Sequence, residues 1–595
     1  MLIVVTIIVM MLSLAGLSFM TMMTTEHKAV DVHGDEMKLS AMIGSGEELL
    51  CVFLSHSPNE RSQLGGLVDN PTLFRGVLVC DDQRYKRHGR CSVIAPKIEN
   101  GQVTGMHFGA ENESARLNLN VLLDWEKDHP GCARAAMINL PGMTDEVADS
   151  ILDWMDEDSE AREFGAEAEY YKGLGVPYVP RNAAPSSLEE LLLVKGVTRD
   201  LLFGADANFN YQLDPDESVA VSATASADVS TGMSSPSAAT SGEASGSFVG
   251  STQLAWASLL TVTSAERNVN GRGKPRIDLN EKSLKKLHQK LARSFDRRWA
   301  DFVVFYRQFG PSGEADPDSL PGWGEGGGSH AQSPWKTGSE VSESAAAMKD
   351  SSVRNPRTRM SKGPDFGEPG RPNLSLPAKF ELDSVLDLVG VVVTIPGSDD
   401  REPQTVDCPF PNRPSEMARY LPALLDVATV ERSSVIHGRV NVDLAPRTVL
   451  LGVPGLDGAV VEQIVAARGT STGSAAGSAM SGGLSSGEFS SAGLSLGNRS
   501  GSSPRHAAWL LAEGVVDLAT MKALEPYLTT GGDVYRAQVV GFFDEGGPAG
   551  RVELIVDATT ETPRRVYWKD LRMLGRGYPL EALGAVPPEQ HETYD

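Results

Sequence analysis

The sequence is poor in cysteine and carries too little positive charge to balance its acidic residues. Its five cysteines include no CxxC pair, which excludes a zinc ribbon and a thioredoxin-type redox site. Cys80 and Cys91 could form one disulfide in an oxidising compartment or remain two free thiols. The chain has 54 Lys and Arg against 78 Asp and Glu, a formal net charge of -24. This charge disfavours binding to nucleic acid and favours cationic partners or metal ions.

Catalytic signatures are also missing from the sequence. There is no HExxH motif and no phosphate-binding GxxxxGK[ST] motif. The pattern Gly-x-Ser-x-Gly occurs at 469–473, 483–487 and 493–497, but these positions lie in a Gly/Ser tract where no strand precedes the serine. We therefore predict that the protein is not an enzyme.

The amino terminus contains a long apolar run. Residues 1–25 include no charged side chain, and residues 2–20 are dominated by Leu, Ile, Val, Phe and Met, close to the roughly 20 residues that a membrane-spanning helix needs. A cleaved secretory signal is the alternative, but the run lacks a basic start and is longer than the usual apolar region of a signal. We predict a transmembrane helix over residues 1–23, and the segment 38–54 could continue the same helix beyond the membrane.

Three tracts rich in Ser, Gly, Ala, Thr or Pro contain few large apolar residues and are predicted to be linkers. They divide the chain into modest domains rather than one large core. The predicted domains are a transmembrane helix (1–23), an extended helix with a sheet-forming part (24–112), a first helical domain (113–217), a linker (218–252), an inserted helical module (253–310), a linker (311–376), a second helical domain (377–469), a linker (470–506) and a carboxy-terminal helix with an antiparallel sheet (507–595).

A short motif recurs three times and precedes a helical segment each time. It consists of a basic residue followed by alternating apolar and Asn or Asp residues, at Arg116–Asn120, Arg276–Asn280 and Arg439–Asp443. The alternation predicts a short strand, and the Asx side chain can accept a backbone N–H bond where the next helix begins. We call these three segments the headers.

Turns containing Pro-Gly or Lys-Gly follow the first and third headers. Pro141-Gly142 and Pro454-Gly455 each precede a segment with apolar residues on one helical face, which predicts helical hairpins of the sterile-alpha-motif or helix-hairpin-helix type. A further turn at 191–198 follows Ser186 and Glu189, which have the spacing of a capping box. The segments 534–543, 551–556 and 564–568 predict a three-stranded antiparallel meander.

The segment 206–217 has the ligand spacing of an EF-hand-like calcium loop. Side-chain oxygens stand at loop positions 1, 3, 5, 9 and 12, and position 7 supplies a backbone carbonyl. The predicted ligands are Asp206, Asn208, Asn210, Gln212, Asp214 and Glu217. Tyr211 stands where such a loop prefers Gly, so a bulky residue would need a positive φ. A solvated acidic turn is the alternative.

A second acidic cluster lies between 153 and 169. From 137 to 175 the sequence has far more acidic than basic residues, and their repulsion must be relieved if this segment is compact. Asp153 and Asp156 share one helical face, while Asp158 and Glu167 could approach them from the following loop. On the residues alone, a metal site and an exposed acidic loop are equally good interpretations.

Several unrelated motifs occur in the order seen in one known family. They are Thr25-Glu-His-Lys after the apolar helix, Glu113–Asn120, Leu140-Pro-Gly-Met, Asp153–Asp158, Gly165–Tyr171, Pro177-Tyr178, Ser187–Leu191, Val194-Lys-Gly and, later, Arg439–Pro446 with its Pro-Gly turn. In these motifs the sequence resembles the general secretion pathway protein K family, the minor pseudopilin K of type II secretion systems. The ordered similarity covers the apolar helix and residues 113–217 and 439–468.

The resemblance implies a fold, partners and a location. It implies an α+β protein with an amino-terminal transmembrane helix, a pilin-like antiparallel sheet, inserted SAM-like helical domains and a place at the pseudopilus tip with other minor pseudopilins and the major pseudopilin. It implies an inner-membrane location with the body in the periplasm. It also implies Ca²⁺ binding within 153–167, so we expect Asp153, Asp156, Asp158 and Glu167 as ligands.

The sequence departs from the family pattern in two respects. No basic leader ending in Gly stands before the apolar run, and the segment 276–310 and the long linkers are additional.

The alternative function is a membrane-tethered helix-hairpin-helix protein that binds nucleic acid, because Pro-Gly hairpins can offer backbone N–H groups to phosphates. The acidic charge favours the pseudopilin interpretation, without nucleic acid as a partner.

Overall fold

The computed structural model describes residues 2–82, 87–99, 102–212, 214, 217, 254–314, 371–397, 402–472 and 506–586. The chain forms two compact units, one from Met1–Arg276 with Pro414–Asp595 and one from Ile277–Arg413. The linkers predicted at 218–252, 311–376 and 470–506 lie largely outside the described residues. The sequence did not predict this two-part division, and the predicted domain boundaries stay a prediction.

The first unit begins with one continuous helix, α1 (Leu2–Ser55). At 1.5 Å per residue this helix is about 80 Å long. Its apolar residues from Ile3 to Met23 are exposed, whereas Ile43, Leu50 and Leu54 near its end are buried. The amino-terminal half of α1 is therefore an exposed apolar rod, and the carboxy-terminal half packs against the body.

The body of the first unit contains a seven-stranded antiparallel sheet. Its strands are β1 (Val77–Asp82), β2 (Arg87–Glu99), β3 (Gln102–Phe108), β4 (Glu111–Asn112), β16 (Val534–Phe543), β17 (Gly550–Asp557) and β18 (Arg564–Asp570). The path is β1-β2-β16-β17-β18, with β3 paired to β2 and β4 paired to β16. The predicted meander is confirmed, because β16, β17 and β18 are consecutive antiparallel neighbours.

The helix and the sheet share one apolar core. Leu50, Phe53 and Leu54 of α1 pack with Val539 of β16 and Leu554 of β17. Each of these side chains is at most 2% exposed, so each transfers most of its apolar surface out of water, at about 25 cal/mol for each Å² buried. The α+β class with an amino-terminal apolar helix and an antiparallel sheet is therefore correct.

The helical part of the chain is inserted between two neighbouring strands of this sheet. β4 ends at Asn112 and pairs with the start of β16, so the chain leaves the sheet and returns to it at one place. At that place Nε of Arg536 donates a 2.7 Å hydrogen bond to Oε1 of Glu113, which has no exposed surface. Burial alone would raise the pKa of Glu113, but the guanidinium groups of Arg536 and Arg116 hold that pKa below its usual value.

All three headers have the predicted local structure. Each begins with a two-residue strand: β5 (Leu117–Asn118), β8 (Ile277–Asp278) and β14 (Val440–Asn441). In each, the Asx side chain at the end of the strand accepts a backbone N–H bond from two residues ahead, at distances of 2.7 to 3.0 Å. The acceptors are Oδ1 of Asn118, Asp278 and Asn441. The recurring polar residue is thus explained by an Asx turn that starts the next helical turn.

The short strands of the first and third headers pair with strands from much later in the chain. β5 runs parallel to β6 (Leu260–Thr261), and β14 runs parallel to β15 (Leu528–Thr529). A third pair joins β7 (Ala265–Arg267) to β13 (Val435–His437). The remaining strand of this unit is β12 (Ala428–Thr429).

Short helices fill the segments between these strands. The α-helices of the first unit after α1 are α2 (Pro58–Gln63), α3 (Pro71–Phe74), α4 (Leu122–Asp128), α5 (Cys132–Ile138), α6 (Asp145–Met155), α7 (Ala168–Lys172), α8 (Arg199–Phe203), α9 (Trp256–Leu259), α12 (Pro414–Val427), α13 (Arg447–Leu450), α14 (Gly458–Thr472), α15 (Trp509–Ala512), α16 (Leu518–Leu524) and α17 (Leu580–Leu583). Its 3-10 helices are Glu113–Ala115, Leu119–Val121, Leu188–Leu193 and Arg572–Leu574.

Both predicted Pro-Gly hairpins are present. Gly142 joins α5 to α6 at φ 68°, and Gly455 joins α13 to α14 at φ 84°, left-handed conformations that glycine adopts without strain. The predicted capping box of Ser186 with Glu189 is wrong. The Ser186 hydroxyl and N–H bond Glu190 instead, because Glu189 accepts hydrogen bonds from Tyr567 and Lys569 of β18.

The second unit contains two helices and a small sheet. They are α10 (Leu284–Ser294), α11 (Arg297–Phe309), a 3-10 helix (Val385–Leu388) and the antiparallel strands β9 (Gly313–Glu314), β10 (Val391–Ile395) and β11 (Gln404–Val406). The Asn280 side chain holds two distant segments together, donating to the carbonyl oxygen of Leu382 at 2.8 Å and accepting from its N–H at 3.0 Å. All described cysteines of both units are free thiols.

Candidate metal centre

The acidic cluster predicted between 153 and 169 forms a site where α6 ends. Thr144 caps the helix by accepting from the Val147 N–H, and the helix stops at Met155. The following loop folds back over this end, so that Asp156, Asp158 and Glu167 each place a carboxylate oxygen within 4.8 Å of the others. This spacing lets one cation contact all three carboxylates, and oxygen is the ligand atom that Ca²⁺ prefers. We call these three residues the acidic group.

Two oxygen atoms of the acidic group are buried and lack a hydrogen-bond partner among the described residues. They are Oδ1 of Asp156 and Oε1 of Glu167. Burial is the main reason why the pKa values of Asp156 and Glu167 are both raised, and the neighbouring carboxylates add to the effect. Buried polar atoms are normally paired, so two acceptors at one place without a partner among the described residues fit a cation-binding site.

Asp153 lies beside the acidic group but has a different partner. It is fully buried and accepts a 2.8 Å hydrogen bond from Nη1 of Arg162, which also donates to Asp156. The Arg162 backbone N–H donates to the same carboxylate. Gly165 passes close by, and a Cβ at that position would lie 1.9 Å from Oδ2 of Asp153. Asp153 therefore holds the loop against α6 through Arg162.

The predicted calcium loop that begins at Asp206, which from here on is the second site or second loop, also has the form of a ligand loop. Asp206 accepts from the N–H groups of Asn210 at 3.2 Å and Tyr211 at 2.9 Å. Glu217 accepts from the N–H groups of Ala207 and Asp214. The first and last acidic residues thus turn inwards; Asp206 accepts two backbone N–H groups of this loop and Glu217 accepts three, the third from Asn208. Among the other predicted ligands, Oδ1 of Asn208 is buried without a hydrogen-bond partner in the described part of the chain.

The interior of this loop changes the protonation of Asp206. Burial raises its pKa to about 6, although the hydrogen bonds from Tyr211 and Asn210 oppose this rise. The side-chain N–H groups of Asn208 and Asn210 both donate to Oδ2 of Asp214, at 2.6 and 3.2 Å. In this arrangement the amides point their donors at Asp214, so both amides would have to rotate to offer oxygen to a cation.

Tyr211 has the positive φ that its loop position requires. Its φ is 59°, and that of Phe209 is 57°; such values are costly for bulky residues. The buried sheet offsets this cost, because the Tyr211 hydroxyl donates to Glu553 of β17 at 3.3 Å. The predicted strain at Tyr211 is therefore present and is balanced by a contact that the loop sequence does not reveal.

The second loop is attached to the sheet through its backbone. The side chain of Gln538 in β16 donates to the carbonyl oxygen of Phe209 at 2.7 Å. Arg551 in β17 donates to the same oxygen at 3.3 Å and also to the carbonyl oxygen of Asn208. The Asn210 amide donates to the Gly577 carbonyl oxygen. A cation in this loop would therefore stiffen the junction between the helical domain and the sheet.

The structure thus brings Asp156, Asp158 and Glu167 together and turns Asp153 towards Arg162. It gathers Asp206, Asn208, Asn210, Asp214 and Glu217 into one loop. Gln212 donates its N–H to Oδ1 of Asn210 at 2.8 Å. Sequence reasoning missed Arg162, which pairs with two of the predicted acidic ligands, and its charge within an acidic stretch was the available signal.

One described helix, α1, is long and apolar enough to cross a membrane, and its apolar residues from Ile3 to Met23 are exposed. A signal sequence is also apolar and lies near the amino terminus. The position and exposure of the apolar half of α1 fit a single-pass membrane anchor.

Comparison with known proteins gives a family-model match and similar chains in solved structures. A family model described as type II secretion system (T2SS), protein K, matches residues 115–203, a range that begins at the first header and contains the acidic group. A search of curated proteins found no match. A chain from the crystal structure of the GspK-GspI-GspJ complex of the enterotoxigenic Escherichia coli type 2 secretion system is similar at 16% identity, with a TM-score of 0.20.

That structural match covers 28% of this chain and 55% of the other, so this chain spans little more than half the length of the solved relative. A TM-score of this size carries no argument about the fold. The family model, by contrast, falls on residues 115–203, which contain most but not all of the motifs that carried the resemblance. Over residues 115–203 this chain is similar to the type II secretion system protein K family.

Proposed function

We propose that this chain is a minor pseudopilin of a type II secretion system, a non-catalytic component that takes part in the export of folded proteins. The match of residues 115–203 to the protein K family carries this proposal. A long helix that packs against an antiparallel sheet supports this proposal. The exposed apolar half of that helix could join a helical assembly while the sheet stays outside the assembly. The helical insertion would then form part of the pseudopilus tip.

The location follows from the same helix. The exposed apolar half of α1 would lie in the inner membrane, and the body would lie in the periplasm. The partners would be other minor pseudopilins, of which proteins similar to GspI and GspJ are the first candidates because they share a complex with the solved relative. The major pseudopilin would contact the apolar half of α1.

We propose Ca²⁺ as the ion of both acidic sites. The unpaired buried oxygens of Asp156 and Glu167 support this at the acidic group. The loop spacing and the inward-facing carboxylates of Asp206 and Glu217 support it at the second site. When bound, Ca²⁺ would supply positive charge that compensates the clustered carboxylates. The residues that would hold it there are Asp156, Asp158 and Glu167 in one site, and Asp206, Asn208, Asn210, Gln212, Asp214 and Glu217 in the other.

The test is purification of the full-length chain from membranes of cells that express its secretion system. We expect proteins similar to GspI and GspJ to co-purify, and we expect export of folded proteins to stop when the chain is removed and to return with the native gene. A Leu12→Arg variant places a charge in the apolar run, where it opposes membrane insertion by roughly 3 kcal/mol. This variant should restore neither export nor the membrane fraction.

A matched variant, Val52→Arg, changes an exposed residue of the same helix beyond the apolar run. It should leave membrane insertion intact. If export continues unchanged without the chain, or if no pseudopilin co-purifies with it, the proposed function is wrong.

A further inference from the structure

The second unit carries an exposed basic surface on an otherwise acidic protein. We give the name basic surface to seven residues of α10, α11 and the segment before them, all of them exposed. They are Lys282, Lys285, Lys286, Lys290, Arg293, Arg297 and Arg298. Only Glu281 and Asp296 are acidic between 281 and 298.

These side chains lie on one side of the helix. Leu284, Leu287 and Leu291 of α10 are buried, so the basic residues at 285, 286, 290 and 293 stand on the opposite, solvent-facing side. Lys286, Lys290 and Arg293 follow each other at helical spacings of four and three. The positive charges therefore form a continuous row along the helix.

Within the described residues, most side chains of the basic surface lack a carboxylate partner. Lys290 pairs with Glu281 at 3.1 Å, and Arg297 pairs with Asp301 at 3.6 Å. For Lys282, Lys285, Lys286, Arg293 and Arg298, the described residues provide no ion pair. The charges are thus available to an anion outside the unit.

The arrangement also opposes the stability of the helices that carry it. The first turns of α10 and α11 contain no acidic residue, and Arg297 and Arg298 begin α11, where the helix dipole disfavours positive charge. Lys286 and Lys290 are like charges at a spacing of four, which is unfavourable in a helix. Of the basic residues in α10, the helix dipole favours Arg293 in the last turn, so folding alone does not explain the positive charges near the starts of the two helices.

The charge of the basic surface is opposite in sign to the net charge of the protein. The second unit, 277–413, has 18 Lys and Arg and 20 Asp and Glu, so that it carries -2 of the total net charge of -24. At physiological salt, charges more than about 8 Å apart are largely screened. A partner at the basic surface therefore meets its seven positive charges rather than the net charge of the chain.

We propose that the basic surface binds the headgroups of anionic phospholipids, so that the second unit lies against a membrane surface. The argument rests on the proposed membrane insertion of α1, which keeps the whole chain within reach of a bilayer. Clusters of four to eight Lys and Arg on an amphipathic helix are typical of proteins that bind anionic lipid. A charged row on a solvent-facing helix suits a planar, fluid anion layer, which requires no matching cleft.

The proposal is tested on the full-length protein by acetylating its lysines in the presence of lipid nanodiscs. The modification rate of each lysine is measured by mass spectrometry, with either zwitterionic discs or discs that also contain phosphatidylglycerol. We expect Lys285, Lys286 and Lys290 to react at least about threefold more slowly with the anionic discs at about 0.1 M salt, and to recover at about 0.5 M salt. Lys379, which is exposed in the same unit, should react equally in all samples.

Two matched double variants sharpen the result. In Lys285→Gln with Lys286→Gln, we expect Lys290 to lose most of its protection. In Arg371→Gln with Lys379→Gln, which removes two exposed charges elsewhere in the unit, Lys290 should stay protected. Equal reaction rates with both kinds of disc would overturn the proposal.

Two further outcomes separate this proposal from its alternatives. Protection that rises with protein concentration and ignores lipid charge would overturn it and assign the basic surface to the acidic surface of a second copy. Co-elution of the chain with the discs tests the membrane anchor independently. The labelling itself needs only the chain and the discs in one solution, so it reports on the lysines whether or not the chain is inserted in a disc. Co-elution with unprotected lysines would contradict the basic surface alone, and protection without co-elution would contradict the anchor alone.

Discussion

Arg551 of β17 donates a hydrogen bond of 3.3 Å to the backbone carbonyl oxygen of Phe209 in the second acidic loop. The two residues are far apart in the sequence, and Arg551 has no exposed surface. A guanidinium group is thus buried in order to fix the backbone of a loop. The loop and the sheet are therefore expected to respond to each other.

The first prediction concerns this contact. Arg551→Met keeps much of the side-chain volume but leaves the carbonyl oxygens of Phe209 and Asn208 without their donor. We expect the free energy of unfolding to fall by about 2 kcal/mol, the usual value for a hydrogen bond to a charged group. A urea titration of the purified protein measures this loss.

The control is Arg564→Gln in the neighbouring strand β18. Arg564 pairs with Asp557 at 3.0 Å, but its side chain is 66% exposed, and exposed ion pairs contribute at most about 1 kcal/mol. If both variants lose the same stability, the buried contact of Arg551 has no special importance.

The second prediction concerns pH. The pKa of Asp206 is raised to about 6, so the folded protein binds more protons here than the unfolded chain between about pH 4 and pH 6. Without Ca²⁺, the contribution of Asp206 to stability is therefore greatest below pH 4 and is lost as the pH rises through 6. Ca²⁺ must displace this proton, so we expect Ca²⁺ affinity to weaken as the pH falls below 6.

Calorimetric Ca²⁺ titrations at several pH values measure this effect. Proton release should appear as a dependence of the binding heat on the buffer, and Asp206→Asn should remove the part that titrates near pH 6. The matched variant Asp200→Asn lies in α8, outside the loop, and should keep the wild-type pH dependence. A Ca²⁺ affinity that is constant from pH 5 to pH 7 would rule out Asp206 as a ligand.

Much of the local structure could be predicted from the sequence, because the forces that set it are local. The headers carry their own Asx acceptors, as Asn118 and Asn441 show, and alternating apolar residues define the strands β16 and β17. Ligand spacing predicted a loop that begins at Asp206, and the Asp206 carboxylate accepts two backbone N–H groups of that loop, whereas metal binding there stays a prediction. In each case the residues that interact lie within a few positions of each other.

The parts that could not be predicted depend on contacts between distant residues. Glu189 had the spacing of a cap for Ser186, yet Tyr567 and Lys569 of β18 bind it instead. Asp153 was predicted as a metal ligand from its position on the helix, yet the guanidinium group and the backbone N–H of Arg162 both donate to its carboxylate. A carboxylate binds whichever donor the fold brings closest, and spacing along the chain does not reveal that donor.

The third prediction concerns the acidic group. We expect Ca²⁺ to raise the melting temperature of the protein, since a ligand at 100 times its Kd adds about 2.7 kcal/mol of stability. The double variant Asp158→Asn with Glu167→Gln should lose the part of this rise that depends on the acidic group. In chelator, the same variant should be at least as stable as the native protein, because two mutually repelling carboxylates have been removed.

Glu160→Gln is the matched control, since Glu160 is exposed in the same loop and is not part of the acidic group. It should leave the Ca²⁺-dependent rise unchanged. The direction of the stability change that the double variant shows in chelator is decisive. A double variant that is less stable than the native protein without Ca²⁺ would mean that the carboxylates form stabilising contacts of their own.

The fourth prediction concerns the close approach of Gly165 to Asp153. Gly165→Ala would place a Cβ 1.9 Å from Oδ2 of Asp153, so either the carboxylate or the loop must move. Because Asp153 is fully buried and paired with Arg162, we expect a loss of about 1 to 3 kcal/mol from overpacking and weaker Ca²⁺ binding at the neighbouring acidic group. Gly175→Ala adds the same methyl group in the same domain, where no heavy atom of the described residues lies within 4 Å, and should change neither quantity. Urea titration with and without Ca²⁺ compares the two variants. If Gly165→Ala matches Gly175→Ala in both, the loop does not pack against Asp153 as described, and the acidic group would lose the support that positions it.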